Sequence, residues 1–150
     1  MQITSRFTVA IHTMLCIAHY EGKKKMTSAA LAGSTGADAT IIRRLLGQLQ
    51  TAGYVKVNAG VGGAHLIKPL KDITLLDLFR AVDAETRNLF RFYENPDCVC
   101  PVGNNIHSVL DGHLCEVQQA MYNKMQEINL QTLYEEIEPL LSKDGENLSS

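Results

Sequence analysis

From residue 5 to residue 21, apolar side chains return at intervals of three and four: Phe7, Ala10, Ile11, Met14, Leu15, Ile17 and Ala18. That spacing predicts a helix with a broad buried face, capped by Ser5 and stopped at Gly22. Three lysines at 23–25 read as a solvated connection. A short second helix, SAALAGS, follows behind Thr27 or Ser28 as its cap, with Ala30 and Leu31 facing inward. Gly36 makes a tight turn, and Asp38 caps a third helix, ATIIRRLLGQLQTAG, which Gly53 ends. On it Ile42, Leu45, Leu46 and Leu49 share one face, while Thr40, Arg43, Arg44 and Gly47 share the other. The period then drops to two. Tyr54, Val55, Lys56 and Val57 alternate, residues 58–63 turn, and Ala64, His65, Leu66 and Ile67 return. Gly60, Gly62 and Gly63 supply the backbone freedom of a tight tip. Helix, turn, helix and hairpin in that order make a winged helix-turn-helix, which lays its second helix in the major groove of DNA.

Beyond Pro69 the helical period resumes. Residues 74–84 place Leu75, Leu76, Leu78, Phe79 and Val82 on a face that packs most simply against the first helix. Residues 86–93 carry both helix-like and strand-like features, and Asn95, Pro96 and Asp97 break any regular structure. The longest periodic stretch spans 102–128, with Ile106, Val109, Leu110, Leu114, Val117, Met121 and Met125 among its repeating positions. Its 27 residues make roughly 40 Å of helix. A head of this size cannot cover such a stripe, so the pattern predicts pairing with a second copy in a two-fold dimer. Residues 130–141 form a last helix that folds back on the head. The expected organisation is a DNA-binding head at 1–72, a connecting helix and cysteine-bearing loop at 73–101, dimerisation and C-terminal helices at 102–141, and a flexible tail at 142–150. The fold class is mainly α with a small β-hairpin wing.

Charge sharpens that division. The net charge is −2, but residues 1–72 carry nine Lys/Arg against three acids, a balance of +6, and residues 73–150 carry five against thirteen, a balance of −8. A basic head on an acidic body suits phosphate neutralisation by the head; chance segregation on a solvated surface is the bland alternative. The two arginines suit bidentate contacts to guanine edges or phosphates, although on an isolated helix they would pass as snorkelling surface groups. His65 is either a groove-reaching group or an ordinary surface histidine. The glycine-rich tip lacks the lysine, the serine or threonine, and the following helix of a P-loop. No nucleophile–base motif points to an enzyme. No apolar run reaches the roughly 18 residues of a membrane span, and Arg6, His12 and His19 interrupt what would have to be a signal peptide. The expected compartment is the cytoplasm.

The segments GADATIIRRLLGQLQTAGYV, AGVGGAHLIKPLKDITLLDLFRAV and CPVGNNIHSVLDGHLCEVQQAM resemble the Rrf2 family of bacterial transcription regulators, over nearly the whole chain. The resemblance implies a homodimeric repressor that binds double-stranded DNA at a palindromic operator through its third helix and wing. It sets Thr40, Ile41, Arg43 and Arg44 at base edges, and Ser28, Gly62, Gly63 and His65 near the backbone or minor groove. Some relatives have an arginine just before the first wing glycine, where this chain has Ala59.

Several relatives also hold an iron–sulfur cluster on three spaced cysteines before the long helix. Here the pattern is C-x-C-x14-C, formed by Cys98, Cys100 and Cys115. With the helix starting near residue 102, Cys115 lies roughly 20 Å along its axis. The spacing therefore disfavours an iron–sulfur cluster, and no metal or other cofactor is assigned; His107 or a partner residue would have to complete such a site. The other reading is redox sensing through Cys98 and Cys100. Pro101 looks like the first helical residue, which puts the Cys100 sulfur near a helix N-terminus that favours thiolate. Two unreactive loop cysteines are the plain alternative, with Cys16 and Cys115 as packing residues. At the level of function, the alternatives are an iron–sulfur-dependent sensor of the same family and a protein–protein adaptor that has lost operator binding.

Overall fold

The first helix is central to the head, because its apolar stripe is wide enough to meet four other elements. In a computed structural model, which describes residues 3–59, 62–83, 89, 90, 96 and 98–147, α1 runs Ser5–Tyr20 and buries Phe7, Ala10, Met14 and Ile17. Its N-cap is Thr4 rather than Ser5, and the Thr4 hydroxyl caps no amide. It donates instead to Asp83 Oδ1 at 2.7 Å, and Arg6 approaches the same carboxylate at 3.5 Å. A long-range carboxylate outcompetes the local cap, which local pattern alone cannot foresee.

Helices α2 (Ser28–Thr35) and α3 (Ala39–Thr51) follow, then strands β1 (Val55–Asn58) and β2 (Gly63–Leu66), a 3-10 turn at Leu70–Asp72, and α4 (Leu75–Val82). The strands form a two-stranded antiparallel hairpin in which Lys56 pairs with His65 and Asn58 with Gly63. The core gathers Leu31 of α2, Ile42, Leu45, Leu46 and Leu49 of α3, Val55, and Leu76, Leu78, Phe79 and Val82 of α4 around α1. Leu75 is only half-buried. The Phe7 and Phe79 rings meet edge to face at 5.6 Å, a preferred aromatic geometry. Helix α4 begins with a full capping box between Thr74 and Asp77, which satisfies two amides that would otherwise lack partners.

Helix α5 spans Pro101–Glu127 and α6 spans Leu130–Asn147. The C-terminal part of α5 packs against the head through buried Met125 and half-buried Met121 and Tyr122, and Gln118 accepts from Leu89 N–H at 2.8 Å. The α5–α6 turn is tied down by Leu75 N–H to the Ile128 carbonyl and Leu130 N–H to the Ile73 carbonyl, both 2.9 Å. Helix α6 folds back on α1, and it runs past residue 141, so the segment expected to be a flexible tail is helical through 147. Pro139 removes one backbone bond, but propagating a formed helix is cheap and no breaker follows at once. Gly60 of the wing tip, most of 86–93, Asn95, Asp97 and residues 148–150 lie outside the described residues. Among the described residues, no helix is long and apolar enough to cross a membrane.

Candidate nucleic-acid interface

The turn between α2 and α3 is built by local chemistry. Thr27 accepts from Ala30 N–H to open α2, and Gly36, at φ 73°, closes it with its N–H on the Ala32 carbonyl. Left-handed backbone there is cheap only for glycine. Asp38 then accepts from Thr40 N–H at 2.7 Å to start α3. This bond, followed by one from the Thr40 hydroxyl, holds the Asp38 carboxyl below its ordinary pKa. Because the four inward residues of α3 are buried, the helix cannot rotate, and Thr40, Ile41, Arg43 and Arg44 are all left exposed. Ile41 is 45% exposed, an apolar side chain beside two guanidiniums and suited to a thymine methyl. The Arg43 guanidinium donates to the Thr40 hydroxyl at 3.3 Å.

The wing stands beside this ridge and is braced to it. The Gln50 side-chain oxygen accepts from Val57 N–H at 2.8 Å, joining the end of α3 to β1. A cleft of about 300 Å³ lies between them, bordered by Ser28, Arg43, Gly47, Gln50, Asn58 and Ala59. Ser28 and Arg43, far apart in the chain, thus meet at one cleft. Gly62 approaches the Asn58 side chain too closely for any Cβ, and Gly63, at φ 73°, has the Met26 backbone 3.0 Å from where a Cβ would sit. The wing base is pressed onto the loop after α1, and Ala64 N–H donates to the Met26 carbonyl.

His65 sits at the other side of that base. Its Nδ1 lies 2.8 Å from Glu21 Oε1 and its Nε2 lies 3.2 Å from the Gly62 carbonyl oxygen. Both partners are acceptors, so only the imidazolium, with two N–H groups, satisfies both. The Glu21 hydrogen bond raises the His65 pKa above its ordinary value, partial burial opposes it, and the Gly62 carbonyl adds to it. Glu21 Oε2 also accepts from Leu66 N–H. Sequence reasoning missed Glu21 and Gln50. A signal for Glu21 was available, since it is one of only three acids in the basic half.

Cys98 and Cys100 are exposed, and Cys100 occupies the N-cap position of α5 ahead of Pro101. Its sulfur forms no complete cap bond, yet the Gly103 and then the Val102 amides that it faces lower the thiol pKa. Cys115 is fifteen positions further along the same helix, about 22 Å at 1.5 Å per residue. One chain therefore does not bring three thiolates together. Among the described residues, no group of three His, Cys, Asp or Glu side chains is placed to hold a metal ion. These residues do not fit an iron–sulfur cluster within a single chain.

The sequence profile of the Rrf2 family, described as iron-dependent transcriptional regulators, matches residues 3–136. The Bacillus subtilis (strain 168) protein YwnA, which bears the name of an HTH-type transcriptional regulator, is 39% identical over 123 residues, covering 82% of this chain and 90% of its own length. A crystal structure titled as a DNA-binding protein shares 34% identity and a TM-score of 0.66, covering 85% of this chain and 97% of that one. A Lactobacillus plantarum structure titled as a transcriptional regulator has a TM-score of 0.75 at 22% identity, over 95% of this chain and 97% of that one, and so speaks for the fold.

Proposed function

The chain belongs to the Rrf2 family and is a DNA-binding transcription regulator, and from that premise we propose that it acts as a homodimeric repressor at a palindromic operator. In this reading residues 1–72 are the DNA-binding head and 102–141 the dimerisation module. The observation that carries it is the α3 ridge. A helix held immobile by four buried residues presents Thr40, Ile41, Arg43 and Arg44 to solvent beside a braced wing. These four read base edges, with each arginine able to contact guanine in a bidentate way. Ser28 and Gly62 approach the phosphate backbone, whereas Gly63 is buried against the Met26 backbone and shapes the wing base instead. With both its ring nitrogens occupied, His65 holds the wing at the right pitch rather than entering the groove. Ala59 supplies no charge at the wing tip, so minor-groove insertion is not part of the reading.

Dimerisation rests on α5. Val102, Val109 and Val117 are 69%, 62% and 54% exposed in the single chain, and a second α5 is the surface that matches a stripe of this length. Two heads set about 34 Å apart would meet successive major grooves on one face of the duplex. The test is fluorescence anisotropy on the promoter fragment upstream of the protein's own coding region. Replacing Arg43 and Arg44 together with Ala should weaken specific binding by more than about 100-fold and flatten the salt dependence. Undiminished binding by the double variant overturns the reading.

The placement of Cys100 supports a second element, a thiol switch. Two thiols from paired chains and one peroxide give a disulfide and two waters, with Cys100, poised toward thiolate, attacking first. If the Cys98→Ser, Cys100→Ser double variant loses operator affinity on peroxide treatment as the natural chain does, the switch is not there.

A further inference from the structure

Between the outer side of α1 and the inner side of α6 lies a cavity of about 500 Å³, within the usual size range of small-molecule sites. Its walls are apolar: Ile11 and Leu15 come from α1, and Ile137 and Leu141 from α6. None of the described lining residues is Lys, Arg, Asp or Glu, so the walls carry no fixed charge. Three polar groups meet at one edge. Ser34, at the end of α2, sets its hydroxyl 3.0 Å from His12 Nε2 and 3.2 Å from the Cys16 sulfur.

A serine hydroxyl has one hydrogen and two lone pairs. With one neighbour donating to it and the other accepting from it, one lone pair stays free. That pair is an acceptor at the edge of an apolar chamber. His19 also lines the cavity, but its Nδ1 is closed to water and so is not offered to a ligand there.

We propose that this cavity is a binding site for a small, uncharged, mostly apolar molecule bearing a hydroxyl group, a phenol or an alcohol of aromatic size. The apolar body lies between Leu15 and Ile137, and the hydroxyl donates to Ser34. The site exists independently of the operator reading. If that reading also holds, occupancy would act on DNA affinity, because α1 carries the wing clasp just beyond its C-terminus while α6 follows the dimerisation helix across a short turn.

The test uses the purified full-length chain without DNA, so that failure here and failure of operator binding are separate results. Binding of 2-naphthol is measured by equilibrium dialysis against naphthalene, which lacks the hydroxyl. One 2-naphthol per chain is expected, with naphthalene bound about tenfold more weakly, and Ser34→Ala should remove that difference. Ile137→Trp fills the chamber and should cut 2-naphthol affinity at least tenfold. Thr8→Trp, reaching in from the rim, serves the same purpose should the first variant fail to fold. Equal binding by natural and filled chains, or equal binding of the two probes to the natural chain, overturns the proposal. Affinity that falls as rising chain concentration drives assembly also overturns it, because the cavity is then a seat for a second subunit.

Discussion

The head and helix α5 answer the same hydrophobic pattern in opposite ways. In the head, the stripes of α1, α3 and α4 close on one another, and Met14, Ile42, Leu45 and Leu78 are essentially inaccessible to water. Along α5 the stripe is covered chiefly near its C-terminal end among the described residues, and Val109 stays largely exposed. Periodicity therefore states that a face must be covered; it does not say by which chain. Where topology brings a complementary stripe back within the same chain, the result is a core. Where it does not, a surface is left that monomeric proteins rarely tolerate.

The contrast can be broken most forcefully at α5. Val109→Glu together with Val117→Glu should convert a dimer to monomers, raising the dissociation constant by more than about 100-fold, as read by sedimentation equilibrium. The circular dichroism of the head should stay intact. An unchanged mass would mean that the stripe is not the subunit contact. A smaller effect separates the two regions by equivalent truncations. Leu45→Ala should cost about 2–5 kcal/mol in denaturant unfolding. Val109→Ala, measured at concentrations low enough to hold single chains, should change stability by no more than about 0.5 kcal/mol. Similar costs would erase the distinction.

Smaller again is the wing base. Gly63→Ala meets a positive φ and the Met26 backbone together, and should cost about 1–3 kcal/mol by the same measurement. The smallest effect is pH-dependent. Because the His65 pKa is raised in the folded chain, its pairing with Glu21 contributes stability in full below the unfolded pKa of about 6.5. That contribution is lost as pH rises through the higher folded value. The melting-temperature advantage of the natural chain over Glu21→Gln should therefore shrink on going from about pH 5.5 to about pH 8.5. An advantage that grows with pH would assign the clasp to the neutral ring.

The local rules that were legible all concern neighbours in sequence. Thr27 and Asp38 cap α2 and α3 as their position before an apolar run implies. Gly36 turns, and Pro101 opens the long helix directly after Cys100. The inward and outward faces of α3 also follow from spacing alone, because a single helix buried on one side has only one way to arrange its leucines. What escaped involved residues brought together from a distance. Thr4 gives up its capping role for Asp83, 79 positions away, and Glu21 reaches His65 across 44. No periodicity marks such pairs. The helical course of residues 142–147 was missed for a different reason, since polar residues permit a helix without demanding one.

From its sequence alone the chain already has its elements, its basic and acidic halves, and the identity of the side chains that α3 must show to solvent, because these depend on spacing and charge along the backbone. Tertiary structure alone decided that Ser28 and Arg43 share a cleft, that His65 clasps Glu21, and that α6 stands off α1 far enough to leave a chamber. Those outcomes depend on how rigid elements settle against one another, and the free energy that selects among such arrangements is summed over the whole core rather than written in any one segment.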